Sequence, residues 1–252
     1  MIKEITSVPL ISIITIAYNA VEVIENTILS VIKQTYSNIE YIIIDGGSTD
    51  GTIDIIKKYE SYITYWISEP DNGIYDAMNK GIDKITGEWV NFMNAGDSFY
   101  NKNVIKKIFS QKIDSHIEVI YGDSYTIYSD KEVIEKVRPL DVMIKKLQMP
   151  FCHQSVFLKS QKKKEIKFDS SYKISADYKI FYTLFNKIGE NAFLYISLPI
   201  AIFDAVEGIS SQNSMLMIKE YIQIRATKKD VFWWFALIKY IIKYITRYNC
   251  IL

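Results

Sequence analysis

Ile39-Glu40-Tyr41-Ile42-Ile43-Ile44-Asp45-Gly46-Gly47-Ser48-Thr49-Asp50-Gly51-Thr52 is the stretch on which the fold turns. Its first six residues are rich in isoleucine and predict a buried strand, which stops at Asp45 and two glycines. From Thr52, Ile53, Ile56 and Tyr59 fall on one helical face, so a helix follows directly. The same alternation extends in both directions. Upstream, Leu10 to Ala17 is an apolar run bounded by Pro9 and Asn19, and Val23, Ile24, Thr27, Ile28, Val31 and Ile32 recur at helical spacing. Downstream come a short strand at Tyr65–Ile67, a helix over Ile74–Ile85 and a fourth strand at Trp89–Met93. That last strand ends at Asn94-Ala95-Gly96-Asp97. Strands alternating with helices predict βαβ units, and therefore a mostly parallel sheet flanked by helices in an α/β fold. Helices on both faces also explain strands that are continuously apolar instead of alternating. After residue 100 the regularity breaks: Ile117–Tyr121 reads as a strand and Tyr125–Val137 as a hairpin around Ser129-Asp130.

Composition narrows the classes. With 252 residues, 49% of them hydrophobic and 23% charged, the chain is long enough to bury a large core. Thirty Lys and Arg against 29 Asp and Glu leave a net charge of +1, without the basic excess of a general nucleic-acid partner. Cys152 and Cys250 lie far apart with no metal-type spacing and read as free thiols. The first residues, Met1-Ile2-Lys3-Glu4, hold no apolar leader, and no uninterrupted apolar run reaches the ~20 residues of a spanning helix. A cytoplasmic location is expected.

In open α/β sheets, ligands bind beyond the carboxyl ends of the strands. All four predicted strand exits are polar: Tyr18-Asn19, Asp45 to Asp50, Glu69 to Asn72, and Asn94 to Asp97. Asp45 there either accepts hydrogen bonds from a base or ribose or, with Asp50, caps a turn and a helix. Asp97 suits a hard divalent cation, or it caps the next helix. Asp177, ahead of the apolar helical stretch Ile180 to Phe185, is either a general base or a residue favoured by the helix dipole. His153 is either a donor to phosphate or a satisfied core histidine; neither it nor His116 has a partner at zinc spacing. Gly-x-x-x-x-Gly-Lys and Gly-x-Gly-x-x-Gly are both absent, which argues against a P-loop NTPase and a dinucleotide-dependent dehydrogenase.

In order, these motifs resemble those of the family 2 glycosyltransferases with the Rossmann-like GT-A fold, especially bacterial enzymes of colanic acid, O-antigen and capsule synthesis. The resemblance runs from Leu10-Ile11-Ser12-Ile13-Ile14-Thr15 with Tyr18-Asn19, through Ser30-Val31 and Gln34-Thr35-Tyr36, to Glu40–Thr52. It continues through Ser68-Glu69-Pro70-Asp71-Asn72-Gly73-Ile74-Tyr75-Asp76-Ala77-Met78-Asn79-Lys80-Gly81, His153-Gln154 and Ala176-Asp177-Tyr178. It implies a GT-A domain over 1–215, with a nucleotide-binding half (1–100), an acceptor half (101–215) and a C-terminal helical tail (216–252). It further implies that Asp45, near Thr15, Ala17 and Asn19, contacts the uracil or ribose of a nucleotide-sugar donor. Gly47, Asp71, Gly73, Asp76, Asn79 and Asn94 would belong to the same donor site. By the same resemblance Asp177 is the general base, His153 lies near the diphosphate or acceptor, and Asp97 is the surviving carboxylate of a metal motif for Mn²⁺ or Mg²⁺. The family's acidic cluster is often Asp-x-Asp-Asp, whereas this chain reads Asn94-Ala95-Gly96-Asp97, so the cation would lean on the donor's diphosphate.

The expected reaction is inverting transfer from a nucleotide-sugar, a UDP-sugar by family preference, to a saccharide or lipid-linked saccharide. A non-catalytic nucleotide-sugar-binding or scaffold subunit is the reading from another class. A sugar nucleotidyltransferase would call for a Gly-rich, cationic phosphate loop after the first strand, where the chain has Tyr18-Asn19-Ala20. Residues 231–252 combine Trp233, Trp234 and Phe235 with Lys239, Lys243 and Arg247 at four-residue intervals. That pattern predicts an amphipathic helix lying in the inner interface of the cytoplasmic membrane, or packed on the domain or on a second subunit of a homo-oligomer.

Overall fold

A computed structural model describes residues 8–205, 214–226, 231, 233–235, 237, 238 and 240–242, with the backbone alone at 162–164 and at 214. The N-terminal half follows the predicted order: β1 (Ile11–Ala17), α1 (Ile24–Ile32), β2 (Ile39–Asp45), α2 (Thr52–Lys58), β3 (Tyr65–Ser68), α3 (Ile74–Lys84) and β4 (Trp89–Phe92). These four strands are all parallel, in the spatial order β3-β2-β1-β4. Along β1, Ile14 and Ile16 enter one core cluster while Ile11, Ile13 and Ala17 enter the other. Both faces are covered, and this is the physical origin of the unbroken apolar run.

Register brings the strand exits level. Ala17 pairs with Asp45, and Asp45 with Ser68, while Ala95 N–H donates to the Ile16 carbonyl at 3.0 Å. The four polar exits therefore share one edge of the sheet.

Beyond β4 the sheet is mixed. β5 (Ser98–Phe99) and α4 (Val104–Phe109) lead to β6 (Val119–Ile127) and β7 (Glu132–Glu135), the hairpin expected around Ser129-Asp130. α5 (Val142–Lys145), β8 (Val156–Lys159), α6 (Ala176–Ile188) and β9 (Phe193–Asp204) complete a nine-stranded sheet of order β3-β2-β1-β4-β8-β6-β9-β5, with β7 beside β6. β8 runs antiparallel to β4 and β6, whereas β9 runs parallel to β6. The mostly parallel character expected of the sheet is concentrated in its N-terminal half, where every connection is a helical crossover.

A buried polar node locks β1, β2 and the turn before β4. The Glu40 carboxylate accepts from the Ser12 hydroxyl at 2.5 Å and from the Thr86 amide and hydroxyl at 2.8 and 2.7 Å. Gly87 closes that turn against bare backbone: a Cβ there would stand 2.7 Å from Leu10 O and 2.8 Å from Ser12 N. Gly87→Ala is expected to cost roughly 2 kcal/mol by overpacking, lowering the melting temperature by about 4–8 °C. Thermal unfolding checks this; an unchanged midpoint would contradict the close packing.

α7 (Ser214–Ile224), where the expected tail begins, is built into the domain. Its Tyr221, Ile222 and Ile224 are buried in the same cluster as α3 and α6, joined by Trp233.

Candidate active site

The first three strand exits form a hydrogen-bonded rim. Asp45 is fully buried at the end of β2, which requires that its charge be met by donors. Its carboxylate accepts from Gly47 N (3.1 Å), Ser48 N (2.9 Å), the Ser48 hydroxyl (2.5 Å) and the Ser68 hydroxyl (2.6 Å). These bonds tie the β2 exit to its own loop and to the end of β3. Asp45 thus braces the rim, and it lies outside the cleft at the fourth exit. Thr15 is likewise fully buried, its hydroxyl donating to Met93 O (2.8 Å) and meeting the Tyr41 hydroxyl (3.0 Å), so its side chain braces the sheet.

Ala17 ends β1, and its carbonyl accepts from Gly46 N at 2.8 Å. Asn19 takes a left-handed φ of 46° and links the two loops through Asn19 N to Ser48 Oγ (2.7 Å) and Thr49 N to Asn19 Oδ1 (3.0 Å). Asp71 folds over the β2 exit so closely that a Cβ on Gly46 would stand 2.5 Å from Asp71 Oδ2. The other Asp71 oxygen accepts from Gly73 N at 2.8 Å. Gly47 and Gly73 have φ of 83° and 109°, which other residues adopt only with strain. Asp76 accepts from Asn72 N at 3.0 Å and steadies the start of α3. Both ends of the Asn79 amide are held by the Phe168 backbone at 2.8 Å, which clamps α3 to the segment ahead of α6.

The fourth exit opens on a cleft of about 320 Å³, and here the remaining candidates meet. Asn94, Asp97, His153 and Asp177 all line it, with Tyr75 of α3 and Asp204 of β9. Asp97 Oδ2 accepts from Gln154 Nε2 at 2.7 Å, and burial pushes its carboxyl up to about 7. The Asn91 amide of β4 donates to the carbonyls of Gln154 and Val156, both at 2.8 Å, fixing the turn that carries His153. Asn94 Nδ2 lies 3.3 Å from His153 Nε2, and His153 Nδ1 lies 3.6 Å from Asp177 Oδ2.

Asp177 occupies the first turn of α6, where its Oδ1 accepts from Tyr178 N at 2.7 Å. Burial raises its carboxyl to about 6, while burial lowers the His153 imidazole to about 4. Near pH 7 the pair is an ionised carboxylate beside a neutral ring. The arrangement offers a proton acceptor at Asp177 and oxygen ligands at Asp97.

A second cavity, of about 390 Å³, adjoins the first and had no sequence signal. Its walls include Tyr128, Lys136 and Arg138 of the hairpin region and Met217 and Tyr221 of α7. His153, Gln154, Ile174, Asp177 and Phe203 line both cavities. Asp177 therefore stands in the wall between two chambers.

Comparison with known proteins agrees with this architecture. Residues 12–185 match the family model described as glycosyl transferase family 2. The chain is similar to the putative teichuronic acid biosynthesis glycosyltransferase TuaG of Bacillus subtilis, with 36% identity over 105 residues, which are 40% of this chain and 41% of that one. The matches cover 38% to 46% of the length of the curated relatives. Among solved structures, S. aureus TarS 1–349 in complex with UDP-GlcNAc superposes with a TM-score of 0.67 at 18% identity, over 85% of this chain and 66% of that one. The mannosyltransferase PcManGT of Pyrobaculum calidifontis, in complex with GDP-Man and Mn²⁺, gives 0.64 at 16% identity over 88% and 64%. These structural likenesses establish the GT-A fold. With the family model spanning more than two-thirds of its length, the chain belongs to glycosyl transferase family 2.

Proposed function

We propose that the chain is an inverting glycosyltransferase that moves a sugar from a nucleotide-sugar, preferably a UDP-sugar, to a saccharide or lipid-linked acceptor of a bacterial surface polysaccharide. The observation that carries this reading is the position of Asp177 in the wall common to both cavities. A base there can take a proton from an acceptor hydroxyl in the larger chamber as that oxygen attacks a sugar held in the smaller one. Attack from the face opposite the leaving group inverts the anomeric centre. TuaG and TarS, named for teichuronic acid synthesis and solved with UDP-GlcNAc respectively, support the substrate class.

The donor set of the smaller cleft fits a hard divalent cation. Asp97 and Asp204 share that wall, and Asn94 Oδ1 is buried with no hydrogen-bond partner. Among the described residues no three His, Cys, Asp or Glu side chains group into a metal cage, so the protein offers few ligands of its own. Mg²⁺ and Mn²⁺ accept such a site by taking further oxygens from phosphates. Bound there, the ion would neutralise charge growing on the diphosphate. Within the chain, Gln154 orients Asp97, and the neutral His153 ring stands against Asp177.

Thermal-shift measurement against a panel of nucleotide-sugars, with and without Mn²⁺, tests donor binding. A ligand at a hundred times its Kd adds about 2.7 kcal/mol of stability. A UDP-sugar is expected to stabilise the protein, and more so with Mn²⁺; no shift from any nucleotide-sugar would defeat the proposal.

Membrane contact belongs to the same reading. Val231, Trp234, Phe235, Ile238, Ile241 and Ile242 are all exposed, while Trp233, Leu237 and Tyr240 turn to the core. This spacing gathers the exposed residues on one apolar helical face. Residues 231–252 hold three basic residues and no acidic one, which favours an anionic lipid surface as the occupant. Of the basic stripe, Lys239, Lys243 and Arg247 lie outside the described residues. No described helix is long and apolar enough to cross a membrane. α7, a wall of the larger cavity, precedes this helix and would hold that chamber beside the surface, suiting a lipid-linked acceptor. Trp234→Ser with Phe235→Ser should weaken binding to anionic vesicles at least about tenfold by removing buried apolar area. Unchanged co-sedimentation would contradict it.

A further inference from the structure

We propose that Glu220, on α7 and beyond the span of the family match, is a positioning residue that holds the base Asp177 at the junction of the two cavities. This rests on the reading of Asp177 given above. Glu220 is 4% exposed, and its carboxylate accepts from three consecutive backbone amides: Lys173 N at 2.7 Å, Ile174 N at 3.1 Å and Ser175 N at 2.9 Å. Those amides form the segment that enters α6, two residues ahead of Asp177.

A helix start needs acceptors for its free N–H groups, and a serine at the cap position ordinarily supplies one. Ser175 occupies that position without a side-chain cap, and its Oγ is buried with no hydrogen-bond partner. Inside the helix Tyr178 N is met by Asp177 itself, while the three amides leading into it are met by a carboxylate 45 to 47 residues along the chain. A carboxylate held by three amides is a strong and directional anchor, so the segment that enters α6 is tied to α7 from outside. The neighbouring Tyr221 adds a second brace by stacking on Tyr178 of α6, with ring centroids 3.9 Å apart.

Glu220 also brings negative charge near the base. The ionisable groups around Asp177 are His153 at 3.6 Å, the hydroxyls of Tyr75 and Tyr221, Cys152, and Lys173 on the cleft wall. Burial is the main reason that the Asp177 carboxyl is raised, and the Glu220 charge acts in the same direction.

Glu220→Gln removes the charge and turns an NH₂ group toward amides that need an acceptor. The expected result is a kcat lowered about 10- to 100-fold with donor KM within about threefold, since the donor rim is untouched. The acid limb of the pH profile should also move to lower pH, because one negative neighbour of the base is gone. Glu220→Asp keeps the charge on a shorter arm and should lower kcat less, with the acid limb in place. Wild-type kcat and an unmoved acid limb in Glu220→Gln, or an equal loss of donor binding and turnover, would overturn the proposal. Should Glu220→Gln fail to fold, Glu220→Asp decides: reduced kcat at unchanged KM supports positioning, and unreduced kcat refutes it. Asp177→Asn, measured alongside, separates the two ideas, because an active Asp177→Asn would remove the base reading whatever Glu220 does.

Discussion

Asp177→Asn is expected to lower kcat by about 10³-fold while leaving donor affinity within about threefold. Asparagine keeps the size of the side chain and an oxygen for Tyr178 N, which Asp177 now receives at 2.7 Å, so α6 should start as before. What disappears is the proton acceptor. The pH dependence has a defined sign: burial puts the Asp177 carboxyl at about 6, and only its ionised form can act as a base. With Mn²⁺ and donor saturating, so that Asp97 stays ionised, turnover in the wild-type protein should be flat above that value and fall about tenfold per pH unit below it. His153 does not blunt the fall, since burial holds its ring neutral down to about pH 4. Initial rates from pH 4.5 to 8, with donor binding measured separately, check both statements. Equal loss of binding and turnover in Asp177→Asn would count against the assignment.

Asp97→Asn is the second large effect. The amide oxygen can still receive Gln154 Nε2, now at 2.7 Å from the carboxylate, so the turn that carries His153 keeps its support. Its negative charge is lost, and with it one of the carboxylates that this cleft offers a divalent cation. If the cation stabilises the departing diphosphate, kcat/KM should fall about 10²- to 10³-fold, equivalent to roughly 3–4 kcal/mol of transition-state stabilisation. The extra thermal stabilisation that Mn²⁺ gives in the presence of a nucleotide diphosphate should vanish too. Retention of that Mn²⁺ effect would move the cation away from Asp97.

Much of the N-terminal half was legible because each strand is covered on both faces and each crossover is local. Ile11 to Ala17 and Ile39 to Ile44 announce themselves as runs, and α1 and α3 as spacing. The other half was hidden because its pairings are made at a distance. β9 is the longest described strand, yet it contains Pro199 and depends on β6, more than 70 residues earlier, for its partner. α7 reads as another apolar segment until its Tyr221 is seen against Tyr178.

The site divides in the same way. Asp97 and Asp177 were identifiable as carboxylates, but their meeting in one cleft depended on resemblance. Asp45 and Asn79 occupy positions where a motif cannot tell whether a polar side chain turns toward a ligand or toward its own backbone. In the structure Ser48 and Ser68 meet the Asp45 carboxylate, and the backbone of Phe168 meets the Asn79 amide. Glu220 carries no local signal at all, since its partners lie 45 to 47 residues away.

The central claim is inverting displacement at a sugar held between Asp97 and Asp177. The most direct measurement follows, by proton NMR before mutarotation, the anomer first released when an α-linked UDP-sugar that stabilises the protein is turned over with water as acceptor. The β-anomer is expected first from the wild-type protein, with no comparable release by Asp177→Asn. The α-anomer appearing first, or the same release from Asp177→Asn, would contradict the account.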